Sequence, residues 1–88
     1  MDNRMYSIVK KHIKQWDPEC LLASGAPEDE YETEIKEIVN GDMDNVFQIS
    51  KTIKAVFEKY FHLEYDPNEC FKVAERIWND LEGGHSNR

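Results

Sequence analysis

The stretch DMDNVFQISKTIKAVFEKYF, residues 42 to 61, decides the fold. At about 100° per residue, Met43, Val46, Phe47, Ile49, Ile53, Val56, Phe57, Tyr60 and Phe61 cover roughly half of a helical circumference, more than one contact stripe needs. Asp44, Gln48, Lys51, Lys54, Glu58 and Lys59 fill the remainder, so one side meets water. The pattern predicts a central helix over about residues 43–61 that touches several neighbours, with Ile53 and Phe57 at its buried centre. It is too interrupted by charge to span a membrane.

The two ends of the chain carry matching helices. Met5, Tyr6, Ile8, Val9, Ile13 and Trp16 lie on one arc, with Arg4, Ser7, Lys10, Lys11 and Lys14 opposite. Cys70, Phe71, Val73, Ala74, Ile77, Trp78 and Leu81 repeat that arc 65 positions later. The correspondence puts His12 where Ile77 sits, so His12 is expected in the core, bonded to a backbone carbonyl.

Between these segments the turn signals are dense. Trp16-Asp17-Pro18 ends the first helix, because a residue before proline is pushed out of the α region. Asp17 is expected to cap a new short helical turn, with Pro18 at its first position and Gly25 closing it. Pro27 opens a second full helix whose narrow stripe is Tyr31, Ile35, Ile38 and Val39. Asn40-Gly41 supplies a left-handed cap, and Asp42 or Asp44 caps the central helix after a short connection, which makes those two helices antiparallel. Asp66, Pro67 and Glu69 form a capping box at the start of the last helix. The expectation is an all-α bundle of four principal helices plus one short turn. Residues 1–84 form one domain and 85–88 a flexible tail.

Composition supports a globular chain. Of 88 residues, 40% are hydrophobic and 33% charged, well away from the signature of disorder. No signal peptide precedes the first helix, which points to the cytoplasm and, with only Cys20 and Cys70, to reduced thiols. Net charge is −7, and its distribution is uneven. Residues 1–16 carry four bases and one acid, residues 17–44 one base and ten acids, and residues 45–88 six bases and seven acids.

The segment WDPECLLASGAPEDEYETEI, residues 16–35, resembles the YugE-like family of small uncharacterised bacterial proteins. The resemblance rests on W-D-P at Trp16, Asp17 and Pro18, and on G-A-P-x-D-E-Y at Gly25, Ala26, Pro27, Asp29, Glu30 and Tyr31. It implies a small, all-helical cytoplasmic protein, and no catalytic residue.

Glu28, Asp29 and Glu30 fall in the first turn after Pro27, where the helix dipole favours negative charge. Glu32, Glu34, Glu37, Asp42 and Asp44 continue the negative surface past that turn, where neighbours repel. A solvated acidic face accounts for them. The functional expectation is a non-enzymatic binding or regulatory module whose acidic 28–44 face takes a basic protein partner, with binding residues Trp16, Asp17, Glu28, Asp29, Glu30, Tyr31 and Glu34. Nucleic acid is not expected as a partner, because phosphate is repelled by such a face, nor is a membrane.

The alternative is a small metal- or ligand-binding domain centred on Asp17 and the Asp29-Glu30-Tyr31 turn, with oxygen ligands suited to magnesium, calcium or manganese. Its spacing matches no calcium loop, and no two of Cys20, Cys70, His12, His62 and His85 have zinc-ligand spacing. No metal or cofactor is expected. Neither is catalysis, since the sequence carries no glycine-rich phosphate loop or nucleophile elbow.

Overall fold

The computed structural model describes residues 3–19, 23–25, 30–41 and 43–82. Four helices occur among the described residues: α1 (Asn3–Trp16), α2 (Glu32–Asn40), α3 (Val46–Phe61) and α4 (Pro67–Glu82). No strand occurs among the described residues. Each helix packs on two others, α1 on α2 and α4, and α3 on α2 and α4, which closes a ring. The expected all-α bundle is therefore what forms. The expected tail, 85–88, lies outside the described residues.

Ile53 and Phe57 are fully buried, as the sequence pattern requires. Phe57 is the aromatic hub. Trp16 from α1 meets it edge-on at 5.4 Å between ring centroids, Tyr31 at 5.9 Å, Phe61 stacked at 5.7 Å and Tyr65 tilted at 5.7 Å. The Tyr31, Ile35, Ile38 and Val39 stripe is buried against it, as are Val9, Ile13, Cys70, Val73, Ala74 and Ile77 from the matching end helices. Burial pushes the Cys70 thiol up to about 11, so it stays protonated near neutral pH.

The ends of the helices depart from the sequence reading, each for a local reason. Asn45, not Asp42 or Asp44, caps α3: its side chain accepts the Gln48 N–H at 2.9 Å. The helix accordingly begins at Val46, three residues later than expected. α2 begins at Glu32 rather than Pro27, with Tyr31 before it in a turn.

Gly41 is extended (φ −86°, ψ −164°), not left-handed. Its requirement is close approach, since a Cβ there would stand 2.9 Å from Thr52 Cγ2 on α3. With Glu37 meeting Lys59 and Gly41 meeting Thr52, α2 and α3 run antiparallel. At α4, Asp66 accepts the Asn68 N–H at 2.9 Å. Glu69, the expected reciprocal partner of that cap, instead accepts the Trp16 indole N–H at 3.4 Å.

Phe47 is 72% exposed and Phe71 37% exposed, although both belonged to the expected buried arcs. On an ideal helix Phe47 lies about 120° around from Ile53, and Phe71 about 120° from Ile77. The buried stripes are narrower than the apolar arcs.

His12 is buried as expected, but its Nε2 bonds the Asp80 carboxylate at 2.6 Å instead of a backbone carbonyl. Lys11 reaches the same carboxylate at 3.2 Å. The His12 contact first, then Lys11, holds the Asp80 carboxyl below its ordinary range. Arg4 donates to the Asp80 and Leu81 carbonyls at 2.9 and 3.3 Å, satisfying acceptors at the end of α4. These contacts, with Trp16 beside Glu69, set α1 antiparallel to α4.

Removing the hub is the direct test of this packing. Phe57→Ala is expected to cost about 3 to 5 kcal/mol, read as a lower midpoint in urea unfolding. A loss below about 1 kcal/mol would place the core elsewhere.

Candidate functional site

The W-D-P segment closes α1 by adopting the left-handed region. Asp17 has φ 44°, and its N–H donates to the Ile13 carbonyl at 2.9 Å. Aspartate is one of the few side chains that tolerates this conformation. Asp17 thus ends α1, as expected, while residues 20–22 of the short helical turn expected after it lie outside the described residues. The described residues after it, 18–19 and 23–25, form turns, with Gly25 at φ 98°.

That turn aims the Asp17 carboxylate across the loop. Oδ1 accepts the Tyr31 hydroxyl at 2.7 Å and Oδ2 accepts the Ala23 N–H at 3.0 Å. The Tyr31 oxygen in turn accepts the Glu19 N–H at 3.2 Å. Tyr31 is fully buried, so its hydroxyl needs such partners. Tyr65 repeats the arrangement, donating its hydroxyl to the Glu19 carboxylate. Burial first, and Glu19 second, raise the Tyr65 phenol well above its ordinary range. The Tyr65 N–H donates to Glu58 Oε2 at 2.9 Å, and Glu58 also pairs with Lys54 at 2.6 Å. Lys54 and then the Tyr65 amide hold the Glu58 carboxyl low.

Of the expected binding residues, the structure brings Asp17 and Tyr31 into direct contact and sets Trp16 beside them on Phe57 and Tyr65. Glu30 is exposed, and Glu28 and Asp29 lie outside the described residues. Glu34 is only 6% exposed, and its Oε1 has no hydrogen-bond partner among the described residues. Burial raises its pKa, and Glu30 and Glu37 add to the rise.

Two further acids of the run are paired. Glu32 meets Lys36 at 3.3 Å, and Glu37 accepts from Lys59 at 3.2 Å and from the Tyr60 hydroxyl. Tyr60, then Lys59, lowers the Glu37 carboxyl. Among the described residues no group of three or more His, Cys, Asp or Glu side chains is arranged to hold a metal ion.

A feature without a motif of its own adjoins the Asp17–Tyr31 bond, which acts as a latch between the end of α1 and the start of α2. Between α1 and α4 an open groove of about 230 Å³ is lined by Trp16, Glu69, Lys72, Val73 and Arg76. Only the recurrence of Glu69, Lys72 and Arg76 at three- and four-residue spacing marks it in the sequence.

A family model described as Domain of unknown function (DUF1871) matches residues 8–81, from the first apolar turn of α1 to the end of α4. The chain belongs to the DUF1871 family. No curated protein and no solved structure matches it significantly. Both halves of the Asp17–Tyr31 latch, and all of the groove, fall inside the DUF1871 match.

Two measurements test the site as built. Tyr31→Phe is expected to cost about 1.5 to 3 kcal/mol in the native chain and much less in an Asp17→Ala background, since the two residues share one bond. Equal costs in both backgrounds would mean that the latch contributes nothing. For Glu34, the raised folded-state pKa means that ionisation opposes folding at neutral pH. Glu34→Gln is expected to raise the melting midpoint at pH 7, with the gain fading as pH falls toward the ordinary glutamate range. A gain independent of pH would assign the effect to something other than the charge.

Proposed function

We propose that this DUF1871 chain is a non-enzymatic protein-binding module that takes a basic partner on its acidic 28–44 stretch and on the Phe47–Phe71 pair, whose Phe47 follows that stretch in the chain. The carrying observation is Phe47, 72% exposed at the first turn of α3. Its ring meets Phe71 edge-on at 6.3 Å and 82°, so two aromatic side chains form one patch across α3 and α4. Leaving a phenylalanine in water forgoes about 1.5 to 3 kcal/mol of burial, a notable sum for a chain with so small a core. Aromatic patches of this kind anchor interfaces, and surrounding charge selects the partner.

Charge complementarity supports a basic partner. Ten acids against Lys36 in residues 17–44 leave a strongly negative field even after Lys59 offsets Glu37. Such a field speeds encounter with a positive protein. The non-enzymatic part of the reading rests on the absence of catalytic motifs in the sequence and on Cys70, a buried thiol held protonated. The YugE-like resemblance, and with it a bacterial cytoplasmic setting, belongs to the same proposal. Its support is the W-D-P and G-A-P-x-D-E-Y segment, whose Asp17 and Tyr31 bond each other. No helix among the described residues is long and apolar enough to cross a membrane.

The test is capture from a host extract by the native chain and by Phe47→Ser, followed by binding measurements on the purified partner. The expected partner is basic, binds more weakly as salt rises, and loses about thirtyfold in affinity on Phe47→Ser, the scale of a central aromatic anchor. The melting midpoint should hardly change, because Phe47 is mostly in water. A partner retained at full affinity by Phe47→Ser would defeat the proposal.

A further inference from the structure

We propose that the groove between α1 and α4 is a second interaction surface, which takes an acidic peptide segment of a protein partner. A carboxylate of the segment sits on Lys72 and Arg76, and an apolar side chain lies against Trp16. In a chain of net charge −7, this groove presents two cations one helical turn apart, both exposed. Neither forms a hydrogen bond or ion pair with another described residue. Like charges at that spacing repel each other, and an anion placed between them removes the repulsion. The planar fork of an arginine suits a carboxylate in particular.

The wall of the groove is already ordered. Trp16 is held by Phe57 and Tyr65 on its inner side and by Glu69 through its indole N–H. A side chain that packs on it does not have to fix it first. The volume, about 230 Å³, suits one large side chain and falls below the range of whole small-molecule sites.

Glu69 decides between ligand classes. Its exposed carboxylate accepts N–H donors, which a peptide backbone brings. A phosphate chain brings none. The surface is distinct from the Phe47–Phe71 patch, since Phe71 faces α3 while the groove faces α1. Neither proposal depends on the other.

The experiment is an NMR titration of the nitrogen-15 labelled chain with a blocked hexapeptide of alternating Glu and Leu. Parallel titrations use its Gln-for-Glu counterpart and a short single-stranded DNA. The expected result is a saturable shift of the Trp16 indole N–H and of the Lys72 and Arg76 amides, with the Trp78 indole unmoved. The Gln peptide should bind at least about tenfold more weakly, as should the Lys72→Glu, Arg76→Glu double variant. Both positions are exposed, so the variant's melting midpoint should match the native one, and Lys72→Gln, Arg76→Gln provides an uncharged check. Phe47→Ser should bind the peptide normally. No shift at Trp16, equal binding of the Gln peptide, or insensitivity to charge reversal would overturn the proposal. Tighter binding of the DNA would overturn it too, and reassign the groove to phosphate.

Discussion

The rest of the fold depends on the ring cluster around Phe57. Each helix junction contributes one aromatic to it: Trp16 at the end of α1, Tyr31 at the start of α2, Phe61 at the end of α3 and Tyr65 before α4. A chain of 88 residues buries too little surface to rely on helix faces alone. Gathering four rings on a fifth makes one contact serve all four elements, and edge-on ring pairs add to the area that they bury. The two tyrosines bring hydroxyls that must be satisfied once buried. Asp17 and Glu19 meet that demand from a single turn, so the cluster also specifies how the chain leaves α1.

Much of this was legible in the sequence because helical periodicity reports burial directly. The stripe of Tyr31, Ile35, Ile38 and Val39, the buried centre at Ile53 and Phe57, and the matching arcs of the end helices all follow from it. Where the reading failed, two physical solutions shared one signature. Gly after Asn suggests a positive φ, yet Gly41 is there because Thr52 leaves no room for a Cβ. Phe47 and Phe71 looked buried because an arc counts apolar residues and cannot know how wide a neighbour's footprint is.

Of the candidate site, the sequence marked only some residues and none of the geometry. Asp17 and Tyr31 stood out, but as members of an acidic cluster with Asp29 and Glu30; the structure makes them donor and acceptor in one bond. Once both Asp17 oxygens are hydrogen-bonded, the motif has a sufficient structural role and its charge needs no ligand to explain it. Trp16 is different. Its inner side belongs to the core and its outer side to the groove, so one residue of the motif is both packed and presented.

The acid run then separates into groups that behave differently. Asp17 and Glu19 hold tyrosines, Glu37 holds Lys59 and Tyr60, and Glu34 is buried with an oxygen lacking a partner. Hydrogen bonds from neutral donors stabilise a carboxylate without cancelling its charge. The latch can therefore be satisfied locally while the region remains negative at a distance, and the cations of α1 and α4 stay on the other seam, with Asp80 already shared by Lys11 and His12. A bundle sorted in this way presents unlike fields on different faces. Because screening confines such fields to roughly 10 Å at moderate salt, the two surfaces proposed above would act on their partners with little interference from each other.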